Sequence, residues 1–456
     1  MFLYNLNYLN YIFSYSLKDS LKIINSWIDN NKIEYSSIAW DIYPTSLRLV
    51  NLIKWSLKHK YKSSKLTDSI SIHASYLIKN FEYHLGGNHL LSNYKALIFT
   101  FFYFKKSFKK NVQNKIINQF IEELNKQILS DGGHYEQSPM YHNQIIFDLL
   151  DIIQLKNISS KNYKIIESKL QKMLYWSKVN NHNGDIPYFN DSCSDIQPSY
   201  KYLIKYAQKI GIRLNKNFYK EKKLYFFRDS GYIIYANSKY KIIFRSGEIQ
   251  SNSIPAHQHA NLLSFEISNK FKKIFSNSGI STYENSKKRL IERGTLMQNT
   301  LSVEKKNNID IWKSFRVGKR PNVKSKILSN KKECVVFEGE HDGFSSYLLN
   351  KIKHNRKISC YPNKIEIEDS IIGKGTSKIY INFYLDNHIL VKKNKEIISL
   401  KSKSFPSKIT FISDCKNIKI KNSKINKNFF HKNKNKNISL FKESRLSFKN
   451  NTTIIF

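Results

Sequence analysis

The sequence predicts an α+β, multidomain chain with a helical first half and a second half built as an antiparallel β-sandwich. Three observations carry this. As far as about residue 215, apolar residues recur at three- and four-residue spacing. From about Leu224 the period becomes two, with Asn, Gly, Ser and Lys clusters between short apolar runs. A chain of 456 residues is also too long for one small core.

Taken in order, the opening MFLYNLNYLNYIF is aromatic and lacks the basic start of a signal peptide, so it is expected to pack as a first helix. Helices are predicted over Leu66 to Tyr83, Leu90 to Phe104, Asn114 to Leu129, Met140 to Leu155 and Tyr163 to Val179. The clearest boundary is Ser138-Pro139, a capping hydroxyl before a proline whose missing N–H costs nothing at a first helical position. Asn215 to Lys223 is basic and polar and reads as a linker, which divides the chain into domains 1–215 and 216–456. Strands are predicted over Tyr232 to Ala236, Lys241 to Arg245, Leu262 to Ile267, Cys334 to Glu338, Lys364 to Asp369, Lys378 to Leu385 and Lys408 to Ser413. Many short strands in series imply packed antiparallel sheets. Lys416 to Lys436, rich in Lys and Asn, reads as a loop or as irregular outer strands.

Composition narrows the function classes. The 76 Lys+Arg against 35 Asp+Glu leave a net charge of +41, which favours polyanionic partners. The excess is spread along the whole chain, as biased nucleotide usage would also produce, and no nucleic-acid recognition motif accompanies it. No apolar run reaches the roughly 18 residues of a membrane span. The four cysteines form no C-x-x-C pair, so neither a zinc knuckle nor a redox motif is present.

Three islands concentrate polar and titratable residues. In the first, Gly86-Gly87-Asn88-His89, the glycines permit a tight turn and close ligand approach. The simpler reading makes Asn88 a helix cap. The second, Asp131 to His142, holds two His, two Tyr and two acids ahead of an amphipathic helix. It reads equally as an active-site rim or as a wet aromatic helix start. Tyr141 and His142 lie in the first turn, where the helix dipole favours a substrate carboxylate or a developing tyrosinate. The third is His257-Gln258-His259-Ala260-Asn261, placed by period at a strand start, so that His257 and His259 face one side. Two histidines alone do not make a zinc site.

Together the islands resemble the heparinase II/III-like family of polysaccharide lyases. The resemblance is carried by Trp40 to Arg48, Gly87 to Leu91, Asp131 to His142, His257 to Glu266, Asn277 to Glu284, Gln298-Asn299-Thr300 and Phe315 to Gly318, in the family's order. It implies an N-terminal incomplete (α/α) toroid of helical hairpins, a C-terminal antiparallel β-sandwich and β-elimination of an acidic, uronic-acid-containing polysaccharide. By motif match Asn88 neutralises the substrate carboxylate. Tyr141 serves as base, acid or both, with His257 or His89 as partner. Arg48, His134, Glu136, His142 and Arg316 fall to substrate binding. The resemblance also suggests the cell envelope or periplasm. A non-catalytic glycan-binding or surface-polysaccharide assembly protein with the same fold is the alternative. A hydrolase would need facing carboxylates, for which Glu136 and Asp131 are the crowded candidates.

The family often has an acid where Asn277 stands, a His where Gln298 stands and an Asp where Asn261 stands. With His259, positions 277 and 298 resemble a metal site, but neutral amides are poor ligands for zinc, so no cofactor is expected. Elemental analysis after chelator-free purification should therefore find no stoichiometric zinc. About one zinc per chain would make His259 a ligand.

Overall fold

The computed structural model describes residues 5–34, 37–105, 108–156, 158–251, 255–346 and 351–456. Helices follow the apolar period: α1 (Leu17–Asn30), α2 (Ile42–His59), α3 (Ser64–Lys79), α4 (Gly87–Tyr103), α5 (Lys110–Gln127), α6 (Pro139–Gln154), α7 (Ser160–Val179) and α8 (Tyr200–Lys209). The polar stretch after α8 contains a short helix, α9 (Lys216–Tyr219), and α10 (Lys287–Arg293) lies among the strands. In the opening segment, Asn10–Ser14 forms a 3-10 turn where a longer helix was expected, and its first four residues lie outside the described ones. Among the described residues, no helix is long and apolar enough to cross a membrane.

Two compact units form, interleaved in sequence: residues up to Gln127 with Ile145–Leu170, and Ile128–Gln144 with Gln171–Phe456. In the helical unit, Ser16 and Ser63 cap α1 and α3 by accepting the amides of Asp19 and Leu66. Leu49, Leu52, Ile53 and Trp55 line the buried side of α2. A buried charge network joins α2, α4 and α6. Lys95 donates to Asp148 and Asp151, each at 2.6 Å, and Lys54 reaches Asp151 at 2.5 Å. Such pairs recover little net energy against desolvation, but breaking one strands its partner, so they hold the helices in register.

The second unit holds three principal antiparallel sheets. Five strands form a meander: Leu224–Phe227, Tyr232–Ala236, Tyr240–Arg245, Phe265–Asn269 and Lys273–Phe275. Four more pair in the order Ile418–Ile425, Asn433–Arg445, Thr376–Tyr384 and Leu301–Val303. The Lys- and Asn-rich segment thus supplies an outer strand. An isolated bridge between Phe275 and Leu385 connects these two sheets. The eight-stranded sheet runs spatially from Leu390–Asn394 through Ile397–Ser402, Phe405–Ser413, Lys449–Ile455, Lys364–Ile372, Lys353–Cys360 and Val335–His341 to Val323–Asn330. Strict alternation of buried and half-buried residues in Val335–His341 shows the period of two at work. Ile233, Phe244, Phe337, Ile367, Ile381, Phe383 and Phe411 belong to one apolar core drawn from all three sheets.

Two features tie this core to the loop around residue 260. A Cβ on Gly339 would lie 2.4 Å from Leu263 Cδ2, so the Leu263 side chain packs directly on the bare glycine of this strand. Arg356, fully buried, pairs with Asp369 at 2.8 and 2.9 Å and donates through Nη1 to the carbonyls of Leu263 and Asn299. His354 also bonds Asp369, at 2.8 Å, and His341 at 3.2 Å. Elsewhere in the unit, His182 is buried against Ser268 and Glu266.

Arg356→Ala leaves the Asp369 charge without its counterion and is expected to cost about 3–5 kcal/mol of stability in urea unfolding. A loss below about 1 kcal/mol would contradict this reading of the pair.

Burial brings the His182 pKa down to about 4 from the ordinary 6.5, although Glu266 pulls the other way, and burial lowers His341 and His354 too. The folded state therefore favours the neutral rings. Their stabilisation is complete above about pH 6.5 and is lost as pH falls towards about 4, where the unfolded chain binds more protons. Melting temperature should decline over that window, and a flat profile from about pH 7 to about pH 4.5 would refute the assignment.

Candidate active site

Four segments of the second unit build the site. The first is Asp131 to Pro139. Asp131 Oδ1 accepts the Gly133 amide, and Oδ2 accepts the amide and hydroxyl of Ser230. A Cβ on Gly133 would fall 2.4 Å from Ser230 Cβ, which explains a glycine there. Asp131 is thus occupied in shaping the loop. Ser138 Oγ accepts the Tyr141 amide at 3.2 Å, the expected cap, so Tyr141 emerges half-buried from the first turn of α6.

The second segment is Asn190-Asp191-Ser192, which follows α7 and precedes α8. Asn190 Nδ2 donates to the Gln137 carbonyl, and the Asp191 carbonyl accepts Ser138 Oγ at 2.6 Å. The Asp191 amide donates to the His257 carbonyl at 3.0 Å. The third segment carries His257 and His259. It is a loop, and the strand begins only at Phe265. The two rings share a direction because both bond Asp191, not because a pleat aligns them. His257 Nδ1 lies 2.9 Å from Asp191 Oδ2, and His259 Nε2 lies 2.7 Å from Oδ1.

The fourth segment comprises Tyr283 and α10. Ser286 caps α10 by accepting the Arg289 amide, and the Arg289 guanidinium meets Asp191 with two bonds, 2.5 and 2.7 Å. Burial alone would raise the Asp191 carboxyl, but Arg289 and the two imidazoles hold it well below the usual carboxylate range. Tyr141 stacks on His257 with centroids 3.9 Å apart and donates its hydroxyl to Tyr283 at 3.0 Å. Burial, with Tyr141 beside it, raises Tyr283 well above the ordinary tyrosine value, so Tyr283 stays protonated. Glu136 Oε1 lies 4.0 Å from His257 Nε2.

The structure thus brings together Tyr141, His257 and Glu136 and adds Asp191, Arg289 and Tyr283, which sequence reasoning did not assign. Asp191 offered one weak signal, an acid directly after an Asn in an aperiodic stretch. Other expected residues have different surroundings. His142 faces inward: Nε2 donates to the Met173 carbonyl at 3.0 Å, the ring packs on Trp176, and burial lowers its pKa to about 4. His134 is buried, and its 3.6 Å approach to Glu136 exceeds hydrogen-bond length. Both imidazoles are buried. Arg316 is exposed.

In the helical unit, α4 is capped by Gly86 rather than by Asn88, because the helix starts two residues earlier than an Asn88 cap would set it. Asn88 lies in the first turn, 2% exposed, with Nδ2 lacking a partner among the described residues. His89 stacks on Tyr43 at 4.3 Å and bonds Glu82 at 3.0 Å. Arg48 lies inside the helical unit. It is fully buried, bonded to His73, the Asn7 carbonyl and Thr45, and stacked 3.8 Å over Trp27.

His259, Asn277 and Gln298, which the resemblance set at a metal position, do not fit a metal. His259 Nε2 is committed to Asp191, Asn277 Oδ1 accepts the Asn299 amide at 2.8 Å, and Gln298 Nε2 donates to the Glu292 carbonyl. Among the described residues, no three His, Cys, Asp or Glu side chains are grouped to hold an ion.

Comparison with known proteins accords with this architecture. The chain is 26% identical over 423 residues to a heparin-sulfate lyase of Bacteroides thetaiotaomicron, which covers 80% of this chain and 57% of that protein. It therefore spans little more than half the length of this curated relative. A crystal structure of heparinase III superposes with a TM-score of 0.76 at 18% identity, covering 96% of this chain and 73% of that one. A heparan sulfate lyase from Pedobacter heparinus gives 0.63 at 15% identity, covering 99% and 75%. The fold is the incomplete (α/α) toroid of helical hairpins followed by an antiparallel β-sandwich. The heparinase II/III N-terminal model matches residues 16–210 and the heparinase II/III-like C-terminal model matches 220–454, so the chain belongs to the heparinase II/III family.

Proposed function

We propose that this protein is a polysaccharide lyase that cleaves an acidic, uronic-acid-containing polysaccharide by β-elimination, with its domains divided at residues 215 and 216. The observation that carries the reading is the half-buried Tyr141 hydroxyl, stacked beside His257 and bonded to a second phenol that stays protonated. The names of the relatives, heparin-sulfate and heparan sulfate lyases, support an acidic glycan as substrate.

Elimination requires removal of the C5 proton beside the sugar carboxylate and protonation of the departing O4. The C5 proton is weakly acidic until the carboxylate charge is offset, and Asn88 is assigned to this by its uncharged, unpartnered donor. Tyr141 takes the proton or returns it to O4. A tyrosine of ordinary pKa about 10 needs help to act as base, and His257 and the Arg289 charge, 5.1 Å from the Tyr283 ring centroid, supply polar support. His89 and the exposed Arg316 are assigned to holding the polymer. The amides at Asn277 and Gln298 favour a second reading, glycan binding without turnover.

The test is a screen of acidic polysaccharides for new ultraviolet absorbance, which reports the unsaturated uronate that hydrolysis does not produce. On a confirmed substrate, Tyr141→Phe should keep the melting temperature and lose about 10²- to 10⁴-fold in rate. Asn88→Ala and His257→Ala should also slow turnover. Full activity in Tyr141→Phe would sink the assignment, and glycan binding without absorbance would favour the second reading.

A further inference from the structure

The Asp191 carboxylate accepts four hydrogen bonds, two at each oxygen. Oδ1 receives His259 Nε2 and Arg289 Nη1, and Oδ2 receives His257 Nδ1 and Arg289 Nη2, all within 2.9 Å. The side chain has no solvent exposure, so water cannot substitute for any of the four. An ionised carboxylate only accepts, which means that each ring nitrogen facing it must carry hydrogen. For His257 this puts hydrogen on Nδ1. In the neutral ring Nε2 is then a bare lone pair, on the edge that looks towards Glu136 Oε1 4.0 Å away, with Tyr141 stacked against the ring face.

We propose that Asp191 is a positioning residue that fixes His257 as the Nδ1–H tautomer, so that its Nε2 is presented beside Tyr141 as an acceptor, with Arg289 as the counterion that keeps Asp191 charged. This deepens the elimination reading and rests on it for its kinetic consequence. The backbone supports the same role. The Asp191 amide holds the His257 carbonyl, and its own carbonyl takes the Ser138 hydroxyl that caps Tyr141, so one residue sets the placement of both rings. Arg289 is buried and answers the charge with a two-pronged contact, which a lysine could not reproduce. The low position of the Asp191 carboxyl agrees with a group ionised throughout the working range.

Asp191→Asn is the informative substitution because it keeps the shape and replaces one acceptor oxygen by a donor. Whichever way the amide turns, its NH2 faces one imidazole and one Arg289 N–H, so at least one ring must change tautomer. Histidine-selective 15N labelling of the whole chain reads the protonated nitrogen of each ring directly. His257 should be the Nδ1–H form and His259 the Nε2–H form in the unaltered protein. In Asp191→Asn one of the two should switch, and kcat on a confirmed substrate should fall about 10²- to 10⁴-fold with KM little changed. Finding His257 as the Nε2–H form in the unaltered protein overturns the proposal, even if the variant fails to fold. A folded variant with both tautomers and kcat retained also overturns it, and a drop in melting temperature alone would reduce Asp191 to a structural part. Should no polysaccharide be cleaved, the nitrogen spectra still decide the tautomer, so failure of the elimination reading stays separate.

Discussion

Asp191 carries a full charge with no solvent exposure, and the surrounding segments are arranged to keep that charge stable. An isolated carboxylate in such a place would be neutralised or expelled. Four donors from three residues prevent this, and they come from His257, His259 and Arg289, which are distant in sequence. Removing one partner from such a buried set costs several kcal/mol, so the segments are held together strongly. Tyr141 acquires its place from the same hub through Ser138, whose hydroxyl bonds both the Asp191 carbonyl and the Tyr141 amide.

The β-sandwich gives this hub a rigid support. The loop bearing His257 and His259 lies just ahead of strand Phe265–Asn269, and at Leu263 it meets Gly339 and the Arg356 guanidinium. Glu266, in the following strand, accepts the amides of Tyr188 and Asn277, which anchors the segment leading to Asp191. Functional side chains therefore sit on loops whose ends are fixed by a close-packed core. Nearby polar demand is met largely by amides. Gln137, Asn190, Gln258 and Asn299 each bond backbone groups that would otherwise be buried unpaired. The same chemistry holds at Asn277 and Gln298, which bond the Asn299 amide and the Glu292 carbonyl.

The sequence by itself determined the alternation of helices and strands, because hydrophobic period depends only on neighbouring residues and on the geometry of one element. Ser138-Pro139 announced its helix start correctly for the same local reason, and the Asp131 to His142 island marked the segment that bears Tyr141. Where local logic erred, a neighbour distant in the chain had intervened. Arg48, given to substrate binding by resemblance, stacks on Trp27 inside the helical unit, and His142 turns towards Trp176. His257 and His259 were read as strand partners but are aligned by Asp191. Only the tertiary structure could assign Asp191 and Arg289, since their contacts span 66 residues to His257 and 98 to each other. The physical reason is that a buried charge specifies its partners by proximity in space, and one chain's residue pattern leaves no periodic trace of which distant donor will satisfy it.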